Sequence, residues 1–196
     1  MRVETVKSSN NILINGPIIM VPEKYSDTRG YFYESWNKDI FNEILKREVS
    51  FVQDNHSLSR YGVLRGLHFQ KRGDSQAKLV RVISGKIFDV IVDIRIHSST
   101  FKEWALIELS KKNRKQLWIP EGFAHGFITV SKTAEVNYKT NNFWNKDSER
   151  TIIWNDKDLK INWKLKELKL KNPLVSKKDN SGDPLNYLKN KRDLLL

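Results

Sequence analysis

From Ile12 to Trp163 the chain is a succession of short apolar runs separated by turn residues, with no internal repeat and no low-complexity linker. KLVRVISGKIFDVIVDIR, EWALIELS, KQLWIPEGFAHGFITVS, AEVNYKT and TIIWND are rich in β-branched and aromatic residues. Such residues suit a pleated, half-buried surface, and the spacing of the runs predicts an all-β sandwich or barrel. Ser84-Gly85, between two of the runs, reads as a hairpin turn. Two places break the pattern. In NKDIFNEILKRE the apolar residues Ile40, Phe41, Ile44 and Leu45 recur at helical spacing behind a candidate Asn37 cap. The tail from about Leu174 to Leu196 has room for another short helix.

The alternation within the runs is unusual on one face. Side chains two apart share a face of a strand. Gln53, Asn55, Ser57 and Ser59 therefore point together, as do Lys78, Val80 and Val82. In AEVNYKT, Ala134, Val136 and Tyr138 share one face, while Glu135, Asn137 and Lys139 share the other. GVLRGLHFQ places Arg65 and His68 in an apolar, glycine-bracketed strand, where a charge is costly unless it is partnered or lines a cavity. Of the four histidines, His56 and His97 lie in polar surroundings, whereas His68 and His125 each follow a glycine in an apolar run. A barrel interior carrying His, Arg, Lys, Gln, Asn and Tyr is a polar, positively biased pocket suited to an anionic ligand.

Composition narrows the class. A chain of 196 residues suits one domain with a sizeable core, and 39% hydrophobic residues exclude a disordered chain. The absence of cysteine excludes disulfides, thiolate zinc sites and a cysteine nucleophile. No apolar stretch approaches the ~20 residues of a membrane span and MRVETVKSSNN has no apolar leader core, so the expectation is a cytoplasmic protein with no membrane contact. The net charge of +12 favours anionic partners. Much of the excess lies in WKLKELKLKN, VSKKDN and NKRD, where lysines without interleaved aromatics argue for a solvated surface rather than nucleic-acid binding.

A metal is the first chemistry to weigh, because PEGFAHG fits the second half of a cupin-type pattern, P-x-G-x-x-H. The first half of a metal-binding cupin offers H-x-H and a glutamate. Here it reads His68-Phe69-Gln70, followed by Lys71 and Arg72. Imidazoles among cations, with no carboxylate expected in reach, make a poor divalent-metal site, so no metal is expected.

Seven segments together resemble the dTDP-4-dehydrorhamnose 3,5-epimerase family: DTRGYFYES, FVQDNHSLSRYGVLRGLHFQ, KLVRVISGKIFDVIVDIR, TFKEWALIELS, LWIPEGFAHGF, AEVNYKT and IIWNDKDLKINW. They stand in family order, with a weaker match in SKKD at Ser176–Asp179. The resemblance implies an all-β, cupin-like antiparallel jelly roll with a few short peripheral helices. Its core would span about residues 12–165 of a single domain, with residues 166–196 packing on the barrel. It implies epimerisation at C3 and C5 of a dTDP-linked 4-keto-6-deoxyhexose, without cofactor or metal. It makes His68 the base, Asp179 its orienting carboxylate, Lys78 the cation facing the enolate oxygen and Tyr138 the acid on the opposite face. Arg65 and His125 would line the pocket. Arg29, Phe32 and Glu34 would bind the nucleotide across a homodimer interface, with Gln53 and Asn55 completing that end. One departure stands out: family members commonly carry paired tyrosines after the YKxT segment, where this chain has Phe143-Trp144. Stacking on the base survives that change; the hydroxyls do not.

Three alternatives stay open at this point. Two are an epimerase of a single carbon and a ketoisomerase on a related dTDP-4-keto-sugar. The third is a non-enzymatic anion-binding module, which needs no His68–Asp179 pair.

Overall fold

The structure is a computed structural model that describes residues 1–194. Its frame is two facing sheets. The first runs in the order β1 (Arg2–Lys7), β2 (Leu13–Val21), β10 (Gln116–Ile119), β7 (Lys78–Ser84), β12 (Thr133–Thr140) and β5 (Gln53–Arg60). The second runs β13 (Glu149–Thr151), β6 (Val63–Gln70), β11 (Phe123–Thr129), β8 (Lys86–Asp93) and β9 (Trp104–Ser110). Neighbouring strands in both sheets are antiparallel, and β14 (Leu174–Val175) adds a short parallel pairing to β6. A separate hairpin, β3 (Tyr25–Asp27) and β4 (Gly30–Phe32), stands on the surface. The arrangement is a jelly roll. No helix among the described residues is long and apolar enough to cross a membrane.

The apolar faces explain the layers. Val80, Val82, Leu117, Ala134 and Val136 of the first sheet meet Ile87, Ile91, Leu109, Phe123 and Phe127 of the second. The outer face of the second sheet is covered as well: Leu64, Leu67, Phe69, Val90, Val92 and Ile128 pack under Ile152, Leu159, Trp163, Leu185 and Leu188. A strand buried on both faces has no polar side to alternate with, which is why KIFDVIVD reads as a nearly continuous apolar run. The outer face of the first sheet holds Met20, Leu79 and Trp118 against Phe41 of α1 (Lys38–Leu45). Asn37 caps α1 as its sequence predicts, its side chain accepting from the Asp39 and Ile40 backbone N–H groups. Two short helices close the chain, α2 (Lys177–Asn180) and α3 (Leu185–Asn190); the final residues 195–196 of the expected tail helix lie outside the described residues.

Two features differ from the sequence reading. Ser84-Gly85 does not close a hairpin: β7 and β8 belong to different sheets, and the turn carries the chain around a corner of the sandwich. Gly85 has φ +78° there, and a Cβ would meet the Thr133 carbonyl, so the position needs glycine for close approach as well as for conformation. Strand pairing is a long-range choice, and a two-residue turn looks alike in sequence whether or not its flanks pair. The first sheet also begins at Arg2, before the core bound of about residue 12. RVETVK is an edge strand with Val6 as its one buried residue, too little to register as a pattern.

Candidate active site

The inner surface of the sandwich changes character along its length. At one end it is Val82, Ala134 and Val136; at the other it is Lys78, Tyr138, Gln53 and Asn55, brought side by side by the pairings Tyr138↔Asn55 and Thr140↔Lys78. From the opposite sheet β6 presents His68 and Gln70, and β13 presents Glu149 beside Gln70. His68, Gln70, Gln76, Lys78, Tyr138, Trp144 and Glu149 enclose a hollow of about 50 Å³. An open groove of about 460 Å³ runs along Arg65, Lys178 and Asp179, and His68 borders both spaces.

Arg65 and His68 are three residues apart, so strict alternation would put them on opposite faces. A bulge solves this. His125↔His68 and Phe127↔Arg65 are both paired positions, so β6 carries one more residue than β11 over the same span. The extra residue is Gly66, at φ +115°, whose missing Cβ would lie 2.6 Å from the Gly126 Cα and 2.7 Å from the His125 carbonyl. Leu64, Leu67 and Phe69 thereby all reach the outer apolar layer, while Arg65 donates inward to Ser59 Oγ at 3.0 Å and His68 enters the hollow. Bulges of this kind re-aim side chains next to functional sites.

His68 Nε2 lies 2.6 Å from Asp179 Oδ1. Ser176 Oγ caps α2 by accepting the Asp179 N–H, and the second carboxylate oxygen of Asp179 accepts the Gly66 N–H at 3.3 Å. The aspartate is thus fixed by both the helix start and the bulge. Burial works against its charge, but the hydrogen bond and charge of His68, with help from Gly66 and Lys178, hold its carboxyl below the usual range. An ionised Asp179 favours the tautomer with the proton on Nε2 and leaves the Nδ1 lone pair free.

On the facing sheet Lys78 is buried, and burial lowers its pKa to about 8, with Asp89 and Glu149 opposing the fall. Burial and then the Glu149 charge push the Tyr138 phenol up. Glu149 itself is held below the usual range: its partial burial is outweighed by Lys178, Trp144 and His68. On β11 beside His68, His125 Nε2 pairs with Asp89 Oδ2 at 2.9 Å, both fully or nearly fully buried. The expectation of no carboxylate in reach is therefore corrected: Asp179, Asp89 and Glu149 all converge on this region from segments far apart in sequence. Among the described residues no three His, Asp or Glu side chains converge as a metal site requires. Gln70, at the cupin ligand position, spends its amide on the Asp74 and Phe143 carbonyls and the Asn145 N–H, pinning the 141–148 loop.

The structure groups His68, Lys78, Tyr138 and Trp144 around one hollow and places Asp179 directly behind His68. Gln53 donates to Asn55 Oδ1 and accepts the Trp144 N–H, so these three form the rim. Phe143 and Trp144 are both exposed, but only Trp144 borders the hollow. His125 is buried and pairs with His68 across β6 and β11, but it does not border the hollow. Arg29, Phe32 and Glu34 are not brought to His68 within the chain: Arg29 pairs with Asp27 at 2.6 Å, and Phe32 is 70% exposed on the β3–β4 hairpin. Sequence reasoning missed Glu149, which opens the short strand β13 within the polar stretch NKDSER and carries no signal there. It also missed Asp89, which did carry one, a carboxylate inside the apolar run KIFDVIVD.

Residues 11–186 match the family described as dTDP-4-dehydrorhamnose 3,5-epimerase. The chain is 52% identical over 165 residues to the dTDP-4-dehydrorhamnose 3,5-epimerase of Shigella flexneri, covering 84% of this chain and 88% of that one. It is similar to the crystal structure of a dTDP-6-deoxy-D-glucose-3,5-epimerase from Legionella pneumophila in complex with dTDP-4-keto-L-rhamnose. That match has a TM-score of 0.89 and 39% identity and covers 99% of this chain and 98% of that one. A 3'-monoepimerase from Streptomyces bikiniensis, in complex with dTDP-quinovose, matches with a TM-score of 0.86 at 26% identity, covering 93% and 90% of the two chains.

Proposed function

This chain belongs to the dTDP-4-dehydrorhamnose 3,5-epimerase family, and on that premise we propose how its own residues carry the reaction. The enzyme inverts C3 and C5 of dTDP-4-dehydro-6-deoxyglucose to give dTDP-4-dehydrorhamnose. The C4 ketone acidifies the neighbouring C–H bonds. His68 Nδ1 takes the proton, the C–H electron pair moves into an enolate with its charge on the C4 oxygen, and Asp179 stabilises the imidazolium that forms. Lys78 faces the enolate oxygen; with a pKa of about 8 it is mostly charged at neutral pH, and at a buried position that charge counts for more than in water. Tyr138, whose phenol stays protonated, returns a proton to the opposite face; the His68 imidazolium then releases its proton to solvent and the phenolate takes one up, which resets both groups for the second carbon. The observation that carries this reading is the His68–Asp179 pair at 2.6 Å beside Lys78 and Tyr138 in one hollow. An anion-binding module has no use for that pair.

The β3–β4 hairpin supports a homodimer in which Arg29, Phe32 and Glu34 reach the neighbouring protomer's pocket and hold the nucleotide diphosphate and base, with Trp144, Gln53 and Asn55 on the receiving side. A cytoplasmic location fits a cysteine-free chain with a nucleotide-sugar substrate.

Proton NMR of the enzyme with dTDP-4-dehydro-6-deoxyglucose in deuterated water tests the chemistry. Deuterium entering C3 and C5 with inversion at both is expected. Exchange and inversion at C3 alone would instead make this chain a monoepimerase.

A further inference from the structure

The mechanism leaves two buried ionisable groups unused, Asp89 and His125. Asp89 lies on β8 between Ile87 and Ile91, both part of the apolar layer between the sheets, so its carboxylate points into the sandwich interior. It is 0% exposed. One oxygen meets His125 Nε2 at 2.9 Å; the other has no hydrogen-bond partner among the described residues. Across the interior, Lys78 is on the inner face of β7 in line with Val80 and Val82. Its ammonium has three donors and, among the described residues, one long hydrogen bond, to the His68 carbonyl at 3.4 Å. An acceptor without a donor and donors without acceptors thus lie on the facing inner sides of the two sheets, near enough for Asp89 to act on the Lys78 charge though no direct hydrogen bond or ion pair joins them among the described residues. A buried charge that lacks a partner is costly, and each of these groups is the countercharge the other lacks.

We propose that Asp89 is a positioning residue for this reaction, the buried counter-ion that keeps Lys78 charged at the floor of the hollow, with His125 orienting its carboxylate. The inference rests on the reading of Lys78 as the cation facing the enolate. The arrangement of charge follows from what faces Lys78 on every side. Asp89 comes from β8, His125 from β11, His68 from β6 with Asp179 behind it on α2, Tyr138 from β12 and Glu149 from β13. With Lys78 protonated, Asp89 ionised and His125 neutral, the buried trio has no net charge; burial pushes the Asp89 carboxyl up, and His125 and then Lys78 oppose that rise and favour its charge. Burial lowers the His125 pKa, opposed by Asp89, and Lys78 and His68 lower it further, which agrees with a neutral imidazole donating Nε2–H to Asp89. Burial lowers the Lys78 pKa, and Asp89 is the first group that opposes the loss of its proton.

The test is Asp89→Asn, which keeps shape and leaves an oxygen for His125. An opposite charge at this range shifts a pKa by about 1–3 units, so the alkaline limb of kcat/KM should move down by about one unit or more. At pH 6 the variant should stay near wild type, while at pH 8.5 it should fall about tenfold. The Lys78 Cε resonance, assigned by its loss in Lys78→Met, should titrate at lower pH in the variant. A loss of activity that is equal at every pH, with the Lys78 titration unmoved, overturns the inference and leaves Asp89 a packing residue. Should Asp89→Asn not fold, His125→Ala serves: with its carboxylate no longer oriented, Asp89 supports the Lys78 charge less well and the Lys78 titration point should fall, and no fall overturns the proposal. The parent reading fails separately, if Lys78→Met itself retains wild-type epimerisation.

Discussion

Replacing Lys78 with methionine should stabilise the fold while abolishing epimerisation. Lys78 is buried on the inner face of β7, and taking its charge out of water lowers its pKa from the ordinary 10.5 to about 8. At about 1.4 kcal/mol per pH unit, that difference makes the charged side chain about 3 kcal/mol costly to the fold at neutral pH. Methionine fills similar volume without charge. Part of the gain is lost because Asp89 is left without its cation, so a net gain of about 2 kcal/mol is expected, or about 4–8 °C in Tm for a chain of this size. The sign follows from proton counting. Below pH 8 folded and unfolded chains both hold the proton, and the full cost applies. Between about 8 and 10.5 the folded chain has released it and the unfolded chain has not, so this group's contribution to stability rises with pH. The gap between Lys78→Met and wild type should therefore be widest at pH 7 and close toward pH 10.5. Thermal and urea unfolding at matched protomer concentration, with proton NMR for turnover, reads both halves. A Lys78→Met variant less stable than wild type at pH 7 would refute the charge-burial argument, and one that still epimerises would refute the catalytic role.

Four further outcomes follow from the same geometry. His68→Asn should keep the fold and lose deuterium exchange at both C3 and C5; exchange at near wild-type rate would show another base. Tyr138→Phe should exchange hydrogen with solvent yet invert about 10²–10⁴-fold more slowly, because the base and Lys78 remain while the far-face donor is gone; full inversion with only KM changed would remove Tyr138 from the acid role. Gly66→Ala should cost several kcal/mol, on the order of 3 or more, since its Cβ has nowhere to go beside Gly126 and His125 and its φ is left-handed; urea unfolding at wild-type midpoint would contradict the bulge account. Mixing Arg29→Ala/Phe32→Ala chains with inactive His68→Asn chains should restore turnover in mixed dimers, because one hybrid pocket then holds an intact base and an intact hairpin; no recovery in verified mixed dimers would place the hairpin outside the shared site.

Much of this protein is local in origin and so legible in the sequence. The strands show themselves because β-branched and aromatic alternation is a short-range property, and α1 does because Asn37 and the spacing of Phe41, Ile44 and Leu45 act within three turns of chain. The polar inner face of β5, β7 and β12 was readable too, since a period of two sorts Gln53, Lys78 and Tyr138 to one side wherever the strands end up. Tertiary structure alone decided which strands pair. Gly85 turns a corner between sheets because β7 finds β10 and β12, and β8 finds β9 and β11, partners that no two-residue turn specifies. It decided that Arg65 and His68 share a face, through one extra residue at Gly66 that matters only once β11 lies alongside. The carboxylates are the clearest case: Asp179 is bonded to His68, Asp89 to His125, and Glu149 borders the hollow. Those meetings depend on packed sheets and on the C-terminal segment returning to β6. Charges brought together by long-range contacts leave no periodic trace in the chain.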